Sequence, residues 1–547
     1  MNILIIPSAK LVNRELQNRY GKIVPILIPM KDKIVLDYIY EKYEEYYEEI
    51  NIILYEEYKK TSEIIKSRNY PKIKIKKISK LYDIGYGIYT VLNDYTNIDI
   101  KNISINFGDT VVENILSKLN KDIFCYSKSL EIDRWASFKY ENEQLVIKEN
   151  NNLKTDIKKD RILTGFFNFL NKELLFKILS SKIKLNNGES LYRTMEEYNN
   201  HNKIFPVLEK DWIDFGHLDN FFKAEKIVET RFFNQITIDK NRNILMKTSS
   251  EKEKLINEIK WFLTLPNELQ WVTPRIYSYS LEFDKPSVTM EYYAYPTLHH
   301  LYLYGNHNLD KWRQIFGRLF YVNKEISKYH LELSEEKLKK ILNEIYLNKT
   351  LERFKKLKSD KNFSKYFIYN FTINNKLFVK LETVEKILEK IINQLQINKT
   401  NYLTIIHGDY FFANILYEPT TGIIKLIDPR GDFGGYGIYG DRYYDLAKLS
   451  HSVDGMYDFI VEDLFQLEES NNEFNYKILC SKQHQEIKNI FYSYFTKEEK
   501  IKIKFIQSLL FLSMIPLHKD KPKRQKVMLG VGMKLLYEIL EEKKIKI

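Results

Sequence analysis

The sequence predicts an α/β chain in two parts: a doubly wound, mostly parallel sheet at the amino end, then an α+β part that becomes chiefly helical. Three observations carry this. Strand-like and helix-like segments alternate through the first hundred residues. The character of the chain changes near residue 225. Further on, two apolar runs end in polar clusters, one at His407-Gly408-Asp409 with Asn414 five residues beyond, the other at Asp428. That is the layout of two strands delivering side chains to one point.

The elements follow in order. Residues 2–6 read as a buried strand, 33–47 carry helical spacing, 50–55 are apolar again, and a Lys/Glu-rich helix follows. Strict alternation over 72–78 predicts a third strand, 87–93 a helix and 103–107 a fourth strand. Such sheets gather ligands at the carboxyl ends of their strands, and Asp109 falls at one of them. The polar segment Asn151 to Asp160 is expected to be a loop. Past the boundary, 235–239 and 243–247 read as a hairpin around Lys240-Asn241-Arg242, and 251–263 as a helix. A softer division near 295 separates a small lobe, 226–295, from a helical lobe, 296–547. From Asp310 onward only short strands near 405 and 425 interrupt the helices.

With 547 residues the chain exceeds one core, and length suggests about three or four structural units. The net charge is +12, but cations and carboxylates interleave, as in Glu335-Glu336-Lys337-Leu338-Lys339-Lys340. This describes solvated helix faces, and no nucleic-acid partner is expected. The two cysteines, Cys125 and Cys480, form neither a disulfide framework nor a metal spacing, which fits a cytoplasmic protein. No membrane span is expected. The most apolar run, 505–516, reads as a buried helix.

The residues ending the two later runs suit phosphoryl transfer from a nucleotide. Asp409 would orient the attacking hydroxyl, while Asn414 and Asp428 would hold Mg²⁺ with few protein ligands. Such chemistry also needs a cation on the phosphates. Lys247 ends its strand, and Glu258 shares the inward stripe of Leu255, Ile259 and Phe262, so each is the natural partner of the other.

At these residues the chain, over about 226–547, resembles the aminoglycoside phosphotransferase and choline kinase superfamily, small-molecule kinases with a bilobal protein-kinase-like fold. The resemblance implies Asp409 as catalytic base, Asn414 and Asp428 as Mg²⁺ ligands, Lys247 on the phosphates with Glu258 as its partner, and Met290, Glu291 and Tyr292 in the hinge that contacts adenine. ATP or another NTP would be the donor and a sugar or amino alcohol the acceptor. Asp445, in Asp441-Arg442-Tyr443-Tyr444-Asp445, would be a helix cap and brace. Pro429 stands where choline kinases usually carry Trp, which weakens choline as substrate. The turn region 230–234 before Lys247 contains no glycine.

Trp212-Ile213-Asp214-Phe215-Gly216-His217, with Gly108-Asp109 and Gly165-Phe166-Phe167, resembles the sugar nucleotidyltransferase family over about 1–225. The resemblance implies Asp109 and Asp214 as two Mg²⁺ carboxylates and Arg14 as a nucleotide contact. The chain departs from the family at its phosphate loop. Lys10 and Val12 stand where glycines are expected, and Pro25 where a lysine is usual. Two outcomes stay open for this part: an enzyme that activates a phosphorylated product for cell-surface polysaccharide synthesis, or a degenerate domain that binds nucleotide or scaffolds. A third class, a binding protein with two inactive folds, is opposed by the intact second set. The acceptor, the base and the oligomeric state are not written in the sequence.

Overall fold

The computed structural model describes residues 1–545 except 32, 69, 129–133, 142–143, 149–160, 185–189, 228–233 and 240. The loop expected at 151–160 and most of the turn at 230–234 therefore lie outside the described residues. The chain divides into two compact units, Met1–Glu229 with Tyr304–Asn306, and Thr230–Leu303 with His307–Ile547.

In the first unit, Asn2–Pro7 lies between two parallel neighbours, Glu49–Tyr55 on one side and Asn102–Asn106 on the other. Ile73–Ile78 adds parallel to Glu49–Tyr55. Ile3, Leu4, Ile5 and Ile6 are all fully buried. Consecutive residues of a strand face opposite ways, so both faces of the sheet are covered, as a parallel sheet requires. Ile3 and Ile5 pack with Ile88, Val91 and Leu92 of the helix Ile84–Asn93. The four strands read from the sequence are parallel. The five that complete the nine-stranded sheet pair mostly antiparallel, beginning with Arg161–Phe169 against Asn102–Asn106. The helix expected over 33–47 is shorter: Lys33–Ile34 pairs with Pro29–Met30, and Val35–Tyr43 alone is helical. Asp37 explains this start, since its carboxylate accepts the Ile34 N–H and closes the first turn.

The second unit opens with a four-stranded antiparallel sheet in the order Asn234–Asp239, Ile244–Ser249, Ser287–Glu291, Ile276–Ser280. The helix Lys252–Thr264 follows the second strand in the chain. The rest is built on long helices. Arg442–Val453, Lys497–Met514 and Pro522–Glu542 supply much of its core, including Leu446, Phe505, Leu509, Val527 and Leu536. The segment Lys497–His518 is long and apolar enough to cross a membrane by length and composition, and 67% of its most apolar window is buried inside the protein.

One sheet escaped the sequence pattern. Lys376–Phe378, Phe371–Ile373, Glu473–Ile478 and Phe465–Ser470 pair side by side in the part expected to be helical. Its first hairpin turns through Asn374 and Asn375, both at positive φ (49° and 62°), a tight turn that asparagine tolerates. The strands of that hairpin are three residues each, too short for an alternation to declare itself.

Candidate functional sites

In the second unit the two polar clusters of the sequence lie on neighbouring turns. The short strand Leu403–Ile405 leads into His407-Gly408-Asp409, and the hairpin Ile415–Glu418 with Ile423–Leu426 carries the chain from Asn414 to Asp428. His407 joins the two turns. Its Nε2 faces the Ile427 carbonyl at 3.0 Å and must carry the proton, so Nδ1 is left to accept the Asp409 N–H at 3.3 Å. Burial holds the imidazole down, at a pKa of about 4, so it stays neutral and keeps this tautomer. Trp261 Nε1 donates to the Ile406 carbonyl at 2.7 Å, which ties the helix Lys252–Thr264 to the same turn.

Asp445 accepts the backbone N–H groups of both His407 (2.7 Å) and Gly408 (2.8 Å). It is a brace and not a cap. The cap of the helix Arg442–Val453 is Asp441, whose side chain accepts the Tyr443 N–H at 3.0 Å. The expectation that Asp445 caps this helix is thus corrected, because Asp445 lies inside the first turn, where its carboxylate is free to reach across to another loop.

Lys247 and Glu258 meet as their spacing suggested. Both are 5% exposed, and the Lys247 ammonium stands 2.8 Å from both Glu258 carboxylate oxygens. The same ammonium reaches Asp428 Oδ1 at 2.7 Å, a link across the unit that the sequence did not suggest. One cation thus serves two carboxylates. Burial and the Asp428 charge push Glu258 up to about 7 against the pull of Lys247. Burial lowers Lys247, but the charges of Asp428 and Glu258 outweigh it and raise the ammonium above its ordinary value. Asp428 sits at φ 55°, an unfavourable backbone for a residue with a side chain, and its side chain is 47% exposed. It is the open end of the cluster.

Asp409 has different company. Lys448 Nζ lies 3.0 Å from its carboxylate and Arg430 4.0 Å away. Burial pushes the Asp409 carboxyl up, but these two cations win and hold it well below the usual carboxylate range. It can orient a hydroxyl as a permanent anion. Asn414 donates its side-chain N–H to the Asp409 carbonyl at 3.0 Å, which fixes the amide beside the same turn. Lys448 and Arg430 were missed as members of this site. Arg430, two residues after Asp428, and Lys448, one helical turn after Asp445, both had positions from which they could have been suspected.

The hinge candidates lie at the end of Ser287–Glu291. Met290 is buried between Leu245 and Ile276 of the flanking strands, Glu291 N–H donates to the Arg275 carbonyl, and Tyr292 N–H to the Asn243 carbonyl, each at 2.8 Å. The backbone therefore leaves the end of this interior strand in a fixed direction.

In the first unit Asp109, near the middle of the unit, and Asp214, near its end, come together. Thr110–Val112 pairs with Trp212–Asp214, and the Phe215 N–H donates to the Asp109 carbonyl. Gly216 is what lets them approach. A β-carbon there would stand 2.3 Å from Asp109 Oδ2. Asp214 is held by the Gly216 N–H (2.9 Å), His217 Nδ1 (2.7 Å) and Asn220 Nδ2 (3.0 Å). Burial and the nearby Asp214 charge push Asp109 up to about 6. Burial lowers His217, yet its hydrogen bond to Asp214 and the two carboxylate charges raise it.

A cavity of about 190 Å³ opens beside Asp109, bounded by Ser8, Lys10, Tyr82, Phe107 and Gly108. It lies where the connection from Asn2–Pro7 leaves to one side and Asn102–Asn106 lies on the other, the place where such sheets bind ligands. The loop after the first strand is packed unlike a bare phosphate cradle. Val12 is buried, its N–H donates to the Ile23 carbonyl, and Asn13 caps the helix Arg14–Tyr20. Arg14 is exposed at the start of that helix. Gly165 has φ 91°, with Phe107 packed where a β-carbon would be, and it sits at a register break of its strand.

No protein-family profile and no curated protein matches the chain. Solved structures do align with its amino-terminal part. The CTP:phosphocholine cytidylyltransferase of Streptococcus pneumoniae is 15% identical, with 42% of this chain and 99% of that one covered and a TM-score of 0.33. A putative glucose-1-phosphate thymidylyltransferase from Bacillus anthracis gives 12%, 42%, 97% and 0.35. The inositol-1-phosphate CTP transferase of T. maritima gives 12%, 42%, 94% and 0.33.

Proposed function

We propose that the second unit is a small-molecule kinase, moving a phosphoryl group from ATP or another NTP to a hydroxyl of a small acceptor. The observation that carries this is Lys247, buried and shared between Glu258 and the half-exposed Asp428. A lysine fixed by a helix carboxylate next to a metal-type carboxylate is what phosphoryl transfer needs on the donor side. Asp409, kept ionised by Lys448 and Arg430, is suited to orient the acceptor hydroxyl.

The donor set suits Mg²⁺. Two carboxylates around one ammonium leave an excess negative charge, and Asp428 and the Asn414 amide provide two oxygens on adjoining turns. Magnesium takes few protein oxygens and fills its shell with water and phosphate. When bound, it would neutralise charge on the donor phosphates. Met290, Glu291 and Tyr292 are the proposed adenine contacts, since their stretch leaves the end of an interior strand with its direction fixed by hydrogen bonds.

For the first unit we propose nucleotide binding in the cavity beside Asp109, with Asp109 and Asp214 holding Mg²⁺ and Arg14 near the phosphates. Nucleotidyl transfer to a phosphorylated product would follow if the loop with Lys10 and buried Val12 can admit a triphosphate. That packing favours the second outcome, a unit that binds nucleotide without transfer. Both units would work on cytoplasmic nucleotides, and cell-surface polysaccharide synthesis is the proposed setting.

Calorimetric titration of the full chain with ATP and Mg²⁺ tests the donor side. Magnesium-dependent binding that is lost in Lys247→Ala supports the kinase. Equal binding by wild type and variant would rule this donor site out. Pyrophosphate release from each NTP with sugar phosphates, lost in Asp109→Ala, would establish transfer by the first unit.

A further inference from the structure

Resting on the phosphotransfer reading, we infer that the acceptor of the second unit carries an anionic group, a phosphate monoester or a carboxylate, and is not an amino alcohol. The argument is one of charge around Asp409. Lys448 and Arg430 stand at 3.0 and 4.0 Å from its carboxylate. Arg430 donates to the Tyr444 hydroxyl at 2.9 Å with its guanidinium over the same ring, and the Lys448 ammonium lies 5.7 Å from the centre of the Phe411 ring and 6.0 Å from that of Tyr444. Two further cations, Lys349 and Arg353, come from the helix Lys349–Lys358. They are one turn apart on that helix, and each is partly buried.

The carboxylates nearby do not balance this. Asp445 is spent on two backbone N–H groups, Asp441 on Tyr346 and a helix cap, and Glu352 on Lys356. Among the described residues Lys349 and Arg353 form no ion pair, and the exposed Glu352, whose carboxylate both lower, is bonded to Lys356. Lys448 and Arg430 share Asp409, and Lys349, with Arg353 beside it, adds positive charge to the same neighbourhood. This positive charge bears on two groups. For Lys349, the Tyr444 phenol pulls upward, but burial and the charges of Arg430, Lys448 and Arg353 together win and lower the ammonium. For Tyr444, burial pushes upward, but Arg430, Lys349 and Lys448 pull the phenol down to about 8.

Partly buried cations without counter-ions cost stability, and a bound anion recovers it. A cationic acceptor would meet repulsion from all four. An anionic one, held by Lys349, Arg353 and Arg430, would have its hydroxyl delivered to Asp409 from the same side.

The test uses binding, so that it reads independently of transfer. The full chain is titrated with glycerol 3-phosphate, glycerate, glycerol and choline, first alone and then with saturating ATP and Mg²⁺. Glycerol 3-phosphate or glycerate is expected to bind at least about tenfold more tightly than glycerol or choline, in both conditions. The tighter of the two identifies the anion. Lys349→Gln and Arg353→Gln, both at partly exposed positions, should each weaken that binding by about tenfold while thermal melting stays within a few degrees of wild type. Choline binding as tightly as the anions would overturn the inference, and so would anion binding indifferent to both substitutions. Displacement of the anions by ATP would also overturn it, by assigning the cluster to the donor phosphates. If wild type binds the anions but no ATP with Mg²⁺, the phosphotransfer reading fails while the anion site stands.

Discussion

Gly431 packs directly on Asn257. A β-carbon on this glycine would stand 2.0 Å from the Asn257 carbonyl oxygen, and its φ is 77°. Asn257 precedes Glu258 on the helix Lys252–Thr264, and Gly431 follows Asp428 by three residues. This contact therefore sets how closely the Glu258 helix approaches the Asp428 turn, and so whether one lysine can serve both.

Gly431→Ala should push the helix away from that turn. The left-handed backbone alone costs about 1–2 kcal/mol for a residue with a side chain, and the clash adds to it. We expect a fall in urea midpoint corresponding to about 2 kcal/mol or more, and weaker Mg²⁺-dependent ATP binding. Unchanged binding would separate the contact from the site.

Removing the shared cation should be costly for the opposite reason. Lys247→Met leaves Glu258 buried beside Asp428 without compensation, and breaking a buried pair in this way costs about 3–5 kcal/mol. The double substitution Lys247→Met with Glu258→Leu should recover most of that stability and none of the ATP binding. Chemical denaturation and calorimetry on the same samples check both halves.

Asp445→Ala should loosen the His407-Gly408 turn by removing the acceptor of two N–H groups. We expect about 2–4 kcal/mol of destabilisation, with a smaller loss in Asp445→Asn, which keeps one carbonyl acceptor. If both variants match wild type in denaturant, the brace is not what holds Asp409 in place.

The first unit should show a pH signature. Asp109 is raised to about 6, so the folded protein holds this proton longer than the unfolded chain does. The stability it contributes is full below the ordinary carboxyl range and is lost as pH rises from about 4 through 6. Asp109→Asn removes that dependence. The variant should gain on wild type by on the order of 1–3 kcal/mol between pH 4 and pH 8, read as the difference in thermal unfolding. A difference that does not change with pH would contradict the cause assigned here.

Much of this was legible in the residues. The parallel strands were readable because β-strand alternation and apolar runs are local signals, and the buried run at Ile3–Ile6 is among the clearest. Lys247 and Glu258 could be paired because an inward-facing carboxylate needs a partner. What stayed hidden was long-range or very short. The reach of Lys247 to Asp428 spans 181 residues. The three-residue strands at Phe371–Ile373 and Lys376–Phe378 leave only the Asn374-Asn375 turn as a signal, in a chain where asparagine is common. Arg430 and Lys448 could have been suspected from their places after Asp428 and Asp445, but Lys349 is an ordinary helix residue until the fold brings its charge to bear on Arg430 and Lys448.

The most direct measurement is phosphoryl transfer itself. Wild type and Asp409→Asn are incubated with γ-labelled ATP, Mg²⁺ and a panel of hydroxyl acceptors that includes phosphorylated and carboxylated ones. Label should move to an acceptor with wild type, and the rate should fall by about 10² or more with the variant, while ATP binding is retained. Transfer at the same rate by both proteins would contradict the assignment of Asp409, and transfer to no acceptor by a wild type that binds ATP would contradict the kinase.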